Sequence, residues 1–231
     1  APLDLHHPSP GFGRRADRER RHRIYAVLTE AEGQLRLART AKGQGSATQL
    51  VTVKVRLLNV HARFKEVMGD FAEARRSADM AVDLAMHLAN PKERLEAMRV
   101  QLEVCYAAGD ANAARQGLVQ LLSELERAPR EVAVSIYGWL AEAIGRWEWD
   151  GLRVRLFPFV LERLRALGAH REAIKARMEW MSSIVVDGDT EAVDNLIEAA
   201  IEDAKRCGEQ AYLAEQLARY AADLIQSRGD A

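Results

Sequence analysis

The chain has 231 residues, with 33 Lys and Arg against 34 Asp and Glu and a formal charge of −1. That balance supplies no global field for nucleic acid or an anionic membrane surface. No apolar run approaches the ~18–20 residues needed to cross a bilayer. Alanine, leucine, glutamate and arginine dominate and only 6 residues are proline, so the composition predicts an all-α protein.

Residues 1–16 read as an irregular arm or linker, broken by Pro2, Pro8, Pro10, Gly11 and Gly13. His6 and His7 are adjacent there, without further metal ligands nearby, and read as a solvated pair. Arg14–Arg23 holds six arginines in ten residues. Asp17 and Glu19 interrupt the run and no aromatic is interleaved. It reads as a charged linker entering a helix, with a nucleic-acid contact or an acidic partner domain as the alternatives. Residues 17–47 are expected to form an N-terminal helix and loop. Ile24, Val27, Leu28, Ala31, Leu35 and Ala38 recur at spacings of three and four, and Gly43, Gly45 and Ser46 break the pattern.

From residue 48 onward one turn recurs. A helix over about 48–68 is predicted to end at Gly69, which tolerates the left-handed conformation. Asp70 caps the next helix, with Glu73 placed for a capping box. That helix is expected over about 71–88, and Asn90-Pro91 closes it, because the residue before proline avoids the helical region. The second hairpin turns at Gly109-Asp110. Pro129 opens a third, which departs from the pattern at Gly145-Arg-Trp-Glu-Trp-Asp-Gly151. Pro158 is expected to kink the following helix or to mark its first turn. A fourth hairpin turns at Gly188-Asp189, and a fifth begins near 209 and stops after Gly229-Asp230. The intervals from Gly69 through 109, 145, 188 and 229 are 40, 36, 43 and 41 residues. A period near 40 in a helical pattern predicts stacked helix hairpins. The domain plan is therefore an array over 48–231, of four hairpins plus a truncated fifth. The chain begins Ala-Pro-Leu and stops just after a repeat's turn, as expected of a segment of a longer protein. A mature exported chain is the alternative account of the missing Met.

Gly69-Asp-Phe-Ala-Glu-Ala74, with Ala81 seven residues further on, resembles the turn and second helix of a tetratricopeptide repeat. The family's small residue at the eighth position falls on Ala62, Leu102, Gly138, Met181 and Ala222. Its alanine five residues after the turn glycine is matched by Ala74 and Ala114. Its position 27 is matched by Ala81 and Ala200 and missed at Leu121 and Phe157. The resemblance covers about 48–231, is firm in the first copy and degenerate in the others. It implies a right-handed α-α superhelix, a solenoid of antiparallel hairpins whose first helices form a concave wall. The longer period is similar to that of the arrays in bacterial transcriptional regulators of the MalT type.

If the family geometry holds, the wall carries Arg56, Asn59 and Arg63, then Glu96, Arg99 and Glu103, then Val132, Ser135 and Trp139. Arg56, Asn59, Arg63, Arg99, Glu103 and Trp139 are the expected partner-binding residues. The charged groups would supply charge-assisted hydrogen bonds and Trp139 an aromatic anchor. The expected function is a scaffold or adaptor that binds a protein or peptide on the concave face. The alternative is a ligand- or partner-sensing domain of a larger transcriptional regulator or signalling ATPase. The clamp that some tetratricopeptide domains use for a C-terminal carboxylate is matched only loosely, at Asn59. An enzyme is not expected, since the sequence has no Gly-rich phosphate loop, nucleophile motif or zinc helix, and Glu148 with Asp150 is too common a pair to argue otherwise. No cofactor or metal is expected. Nucleic acid and membrane are not expected partners, and homo-oligomerisation stays open. Cys105 and Cys207 lack ligand spacing and read as thiols in a reducing compartment. With no signal-peptide core in view, that implies a cytoplasmic location.

Overall fold

The computed structural model describes residues 29, 30, 33, 34, 36, 47–147, 152–185 and 190–229. Among them all regular structure is helical. The chain divides into two units, residues 1–127 and 128–231.

In the first unit, α1 (Ala47–Met68) and α2 (Phe71–Met86) are joined through Gly69, and α3 (Pro91–Ala107) and α4 (Ala111–Leu125) through Gly109. Both glycines are left-handed, with φ of 81° and 75°. At each, two amides fold back onto the carbonyls that the ending helix leaves open. Gly69 N donates to Glu66 O at 3.0 Å and Asp70 N to Lys65 O at 2.9 Å; Gly109 and Asp110 repeat this with Tyr106 and Cys105. The next helix is then capped at once. Asp70 Oδ1 accepts from the Glu73 amide at 3.3 Å, and Asp110 Oδ1 from the Ala113 amide at 3.0 Å. Only half of the expected capping box forms, because the Asp70 amide is already engaged and the Glu73 carboxylate pairs with Arg76. At the other end of α2, Asn90 caps α3 through the Lys92 amide, with Pro91 in the first turn, where its missing N–H costs nothing.

Helix α1 packs on α2 and α3, α2 on α3, and α3 on α4. Alanine makes close approach possible. Ala62, Ala74 and Ala78 are fully buried with Val100 and Val104, and Ala81, Ala85 and Ala97 with Val55 and Leu88. Of these, Ala62, Ala74 and Ala81 are positions at which the repeat resemblance expects small residues.

In the second unit α5 (Arg130–Arg146) is followed by α6 (Arg153–Ala166), α7 (His170–Val185), α8 (Thr190–Cys207) and α9 (Gln210–Gly229). Helix α5 packs on α6 and α7, α6 on α7, α7 on α8 and α9, and α8 on α9. The left-handed glycines here are Gly168 and Gly208, with φ of 65° and 72°. They join α6 to α7 and α8 to α9. Gly145, which the spacing assigns to a turn, lies inside the last turn of α5; the Trp147 amide still reaches Ala143 O at 2.9 Å. Pro158 also lies inside its helix, not in the first turn of α6. The core is larger in grain than that of the first unit. Phe157, at a position where the repeat family has alanine, is fully buried and stacks on Trp180 at 5.6 Å and 5°. Ile174, Met178 and Met181 pack with Ala200, Ala204 and Leu213.

Several sequence expectations lie outside the described residues: the arm 1–16, the arginine run 14–23, most of the helix and loop 17–47, residues 148–151 of the tryptophan-rich turn, and the Gly188-Asp189 turn.

Candidate functional site

Four of the six expected partner-binding residues are charged side chains of the first unit, and all four are engaged internally. Arg56, half-buried on α1, grips Glu93 of α3 with Nε at 3.0 and 3.1 Å from its two carboxylate oxygens and an Nη at 2.5 Å. Glu93 is only 3% exposed, and its hydrogen bond raises the Arg56 guanidinium pKa against the opposing effect of burial. A second chain of alternating charge runs beside it. Arg63 donates to Glu30 at 2.9 Å and to Glu96 at 2.6 Å. Glu96 also accepts from Arg99 at 2.9 and 2.5 Å, and Arg99 reaches Glu103 at 3.2 Å. Burial pushes the Glu96 carboxyl upward, but the hydrogen bond and field of Arg99, then those of Arg63, outweigh it and hold the pKa below the ordinary value. Burial likewise works against the charge on Arg99, and its carboxylate partners reverse that.

The fifth residue, Asn59, is 3% exposed, and neither its amide oxygen nor its nitrogen has a hydrogen-bond partner. It lies in the interior, not on an open wall.

Trp139, the sixth, belongs to the second unit. Its ring meets Trp147 edge-on at 5.9 Å, and it lines a cleft of about 530 Å³ between α5 and α7, closed at one side by Gln216 of α9. On α5 the lining residues Glu131, Ser135, Gly138 and Glu142 recur at helical spacing; on α7 Glu172, Lys175 and Glu179 do the same. Val134 and Met178 supply apolar surface. A Cβ on Gly138 would meet nothing within 4 Å, so the backbone of α5 is open to the cleft there.

The cleft's charge is lopsided: four carboxylates face one ammonium, Lys175. None of these five groups makes a hydrogen bond or ion pair among the described residues. Burial raises the Glu179 carboxyl pKa, the neighbouring Glu142 raises it further, and Arg146 pulls the other way. The Nε of Arg146 is turned to the Glu142 carbonyl at 3.3 Å. A smaller hollow of about 400 Å³ shares Glu131 and Glu172 and is bounded by Arg130 and Arg171. Those cations are committed. Arg130 Nε donates to Leu167 O at 2.7 Å. Arg171 bonds Glu209 at 2.9 Å and covers the Tyr212 ring at 5.4 Å.

Trp139 and Ser135 were visible in the sequence as wall positions, but the carboxylates around them were not. Their signal was there, as Glu131 with Glu142 and Glu172 with Glu179, each pair on one helix face. What was missing is any assignment of wall positions on α7, the first helix of the fourth hairpin, which packs on α5.

Among the described residues no three His, Cys, Asp or Glu side chains are arranged to hold a metal ion, and no helix is long and apolar enough to cross a membrane. Cys105 is buried, Cys207 half-buried, and both are free thiols.

With this geometry, what the described residues define is a set of helices packed on their neighbours, with an acidic, aromatic cleft in the second unit. No protein-family model, curated protein or solved structure matches the chain.

Proposed function

We propose that this chain is a tetratricopeptide-like scaffold or adaptor that binds a peptide segment of another protein. In this reading the helices of each unit are antiparallel hairpins stacked as in a right-handed solenoid of period near 40. Support comes from the packing order, in which a helix meets its successor and first helices meet the next first helix. Further support comes from polar ties within each unit that join residues 33–38 positions apart, such as Arg56–Glu93, Arg63–Glu96, Arg75–Asp110 and Arg171–Glu209. Those ties brace one hairpin against the next.

The observation that carries the binding reading is the α5–α7 cleft. It brings an aromatic side chain, apolar surface and unengaged polar groups into one concavity, the combination that peptide-binding surfaces use. Arg56, Arg63, Arg99 and Glu103 are assigned to bracing, and Trp139 to the partner.

The test is to pan a random peptide library displayed on phage against the chain. Selected peptides are then measured by fluorescence anisotropy against Trp139→Ala and Gly138→Leu. The first removes the anchor; the second fills the cleft from a position with room for a side chain. Each is expected to weaken binding about tenfold or more, with the helical circular dichroism unchanged. Peptides that bind both folded variants as tightly as the original chain would overturn the reading.

A further inference from the structure

The charge in the cleft says more about the occupant than the shape does. Glu131, Glu142, Glu172 and Glu179 line the cleft with Lys175 as the single cation of the lining; Arg146 acts on Glu179 from outside the lining, and the other nearby arginines are turned elsewhere: Arg130 to loop carbonyls, Arg171 to Glu209, Arg177 to Asp203. Like charges that act on one another at a half-buried position, as Glu142 does on Glu179, cost free energy in the empty protein. The Glu179 pKa is raised by burial first and by Glu142 second, with Arg146 offsetting part of both. An incoming cation relieves that cost, and an incoming anion adds to it. Elsewhere the same molecule shows how such carboxylates are satisfied, by arginine in fork geometry, as at Arg56–Glu93. Trp139 offers a ring against which a guanidinium or the stem of a lysine packs. Gly138 lets the occupant's main chain come close to α5, and Ser135 and Gln216 supply hydrogen-bonding groups along the same cleft.

We infer that the occupant of the α5–α7 cleft is a cationic peptide segment, one whose arginine or lysine side chains enter between Glu142 and Glu179 while its apolar part lies on Trp139. This rests on the reading of the cleft as a peptide site and specifies the chemistry of the partner.

The panned peptides supply the test. Their sequences are expected to be enriched in Arg and Lys. Replacing those residues by Gln within one selected peptide is expected to weaken binding about tenfold or more. Glu142→Gln with Glu179→Gln is expected to remove most of that difference. Asp194→Asn with Glu198→Gln, exposed on α8 with the same change in charge, is expected to leave affinity within about twofold, since exposed distant charges are screened. Binders without basic enrichment that still lose affinity in Trp139→Ala would overturn this inference and leave the binding reading standing. A library that yields no binder would overturn both. Equal losses in the two double variants would also overturn it, because bulk charge would then explain the attraction. So would self-association of the chain alone, lost in Glu142→Gln/Glu179→Gln, which would make a second copy the occupant.

Discussion

The two units handle charge on their first helices in opposite ways. In the first unit, Glu30, Arg63, Glu96, Arg99 and Glu103 alternate in sign, and each carboxylate has its arginine. In the second, the faces of α5 and α7 that meet bear four carboxylates and one lysine. A charged face is therefore not by itself a docking face. Where the charges answer one another they lock helices together; where they are left unanswered they can recognise something else. The first arrangement ties each carboxylate to an arginine. The second keeps a cleft open at the cost of repulsion within it.

That contrast can be broken most forcefully at Arg99. Arg99→Ala takes one arginine from Glu96, which keeps Arg63, and one from Glu103, and a loss of about 2 kcal/mol is expected in urea denaturation. This is below the ~3–5 kcal/mol of a fully buried pair, because both carboxylates retain some access to water. The matching change in the second unit, Glu142→Gln, should cost nothing measurable in stability. A comparable loss from both would erase the distinction between the units.

A smaller effect is expected where the hairpin turn itself is attacked. Gly69→Ala forces a side chain into a backbone with φ of 81°, at about 1–2 kcal/mol. Gly138→Ala lies inside α5 with nothing within 4 Å of the new methyl, and should stabilise by about 0.5–1 kcal/mol. Opposite signs for two glycines in one protein are read from a pair of thermal melts.

The smallest effect is in pH dependence, and its sign differs between the units. Glu96 has a lowered pKa in the fold. Its contribution is present above the ordinary carboxylate pKa and is lost as pH falls through the folded value. Glu179 has a raised pKa. It favours the fold while protonated, and that contribution disappears as pH rises from the ordinary carboxylate pKa through the folded value. Glu179→Gln should therefore stabilise slightly at neutral pH and lose that advantage below about pH 4. Glu96→Gln should destabilise at neutral pH and less so in acid. Denaturation midpoints taken across that range check both.

How much of this could be read from residues alone follows the range of the forces involved. Gly69-Asp70, Asn90-Pro91 and Gly109-Asp110 announced their helix ends because a left-handed glycine, a capping carboxylate and a proline act within a few residues. Gly145 was misleading for the same reason in reverse. A glycine permits a turn without requiring one, and α5 continues through it. Gly168 and Gly208 make the same turn without an aspartate after them, so the recurring Gly-Asp pair did not mark them. The ion pairs of Arg56 and Arg63 depend on partners some 33–37 residues away. The cleft depends on two helices about 40 residues apart in sequence. Neither is contained in a local pattern.

The partner is expected to meet the second unit at the α5–α7 cleft and to leave the paired charges of the first unit alone. Backbone amide NMR of the chain titrated with a panned peptide addresses that directly. Shifts concentrated at Ser135, Gly138, Trp139, Glu142, Lys175 and Glu179, with the Arg56–Glu103 region quiet, are the predicted result. Shifts concentrated at Arg56, Arg63, Arg99 and Glu103, with the cleft silent, would contradict it.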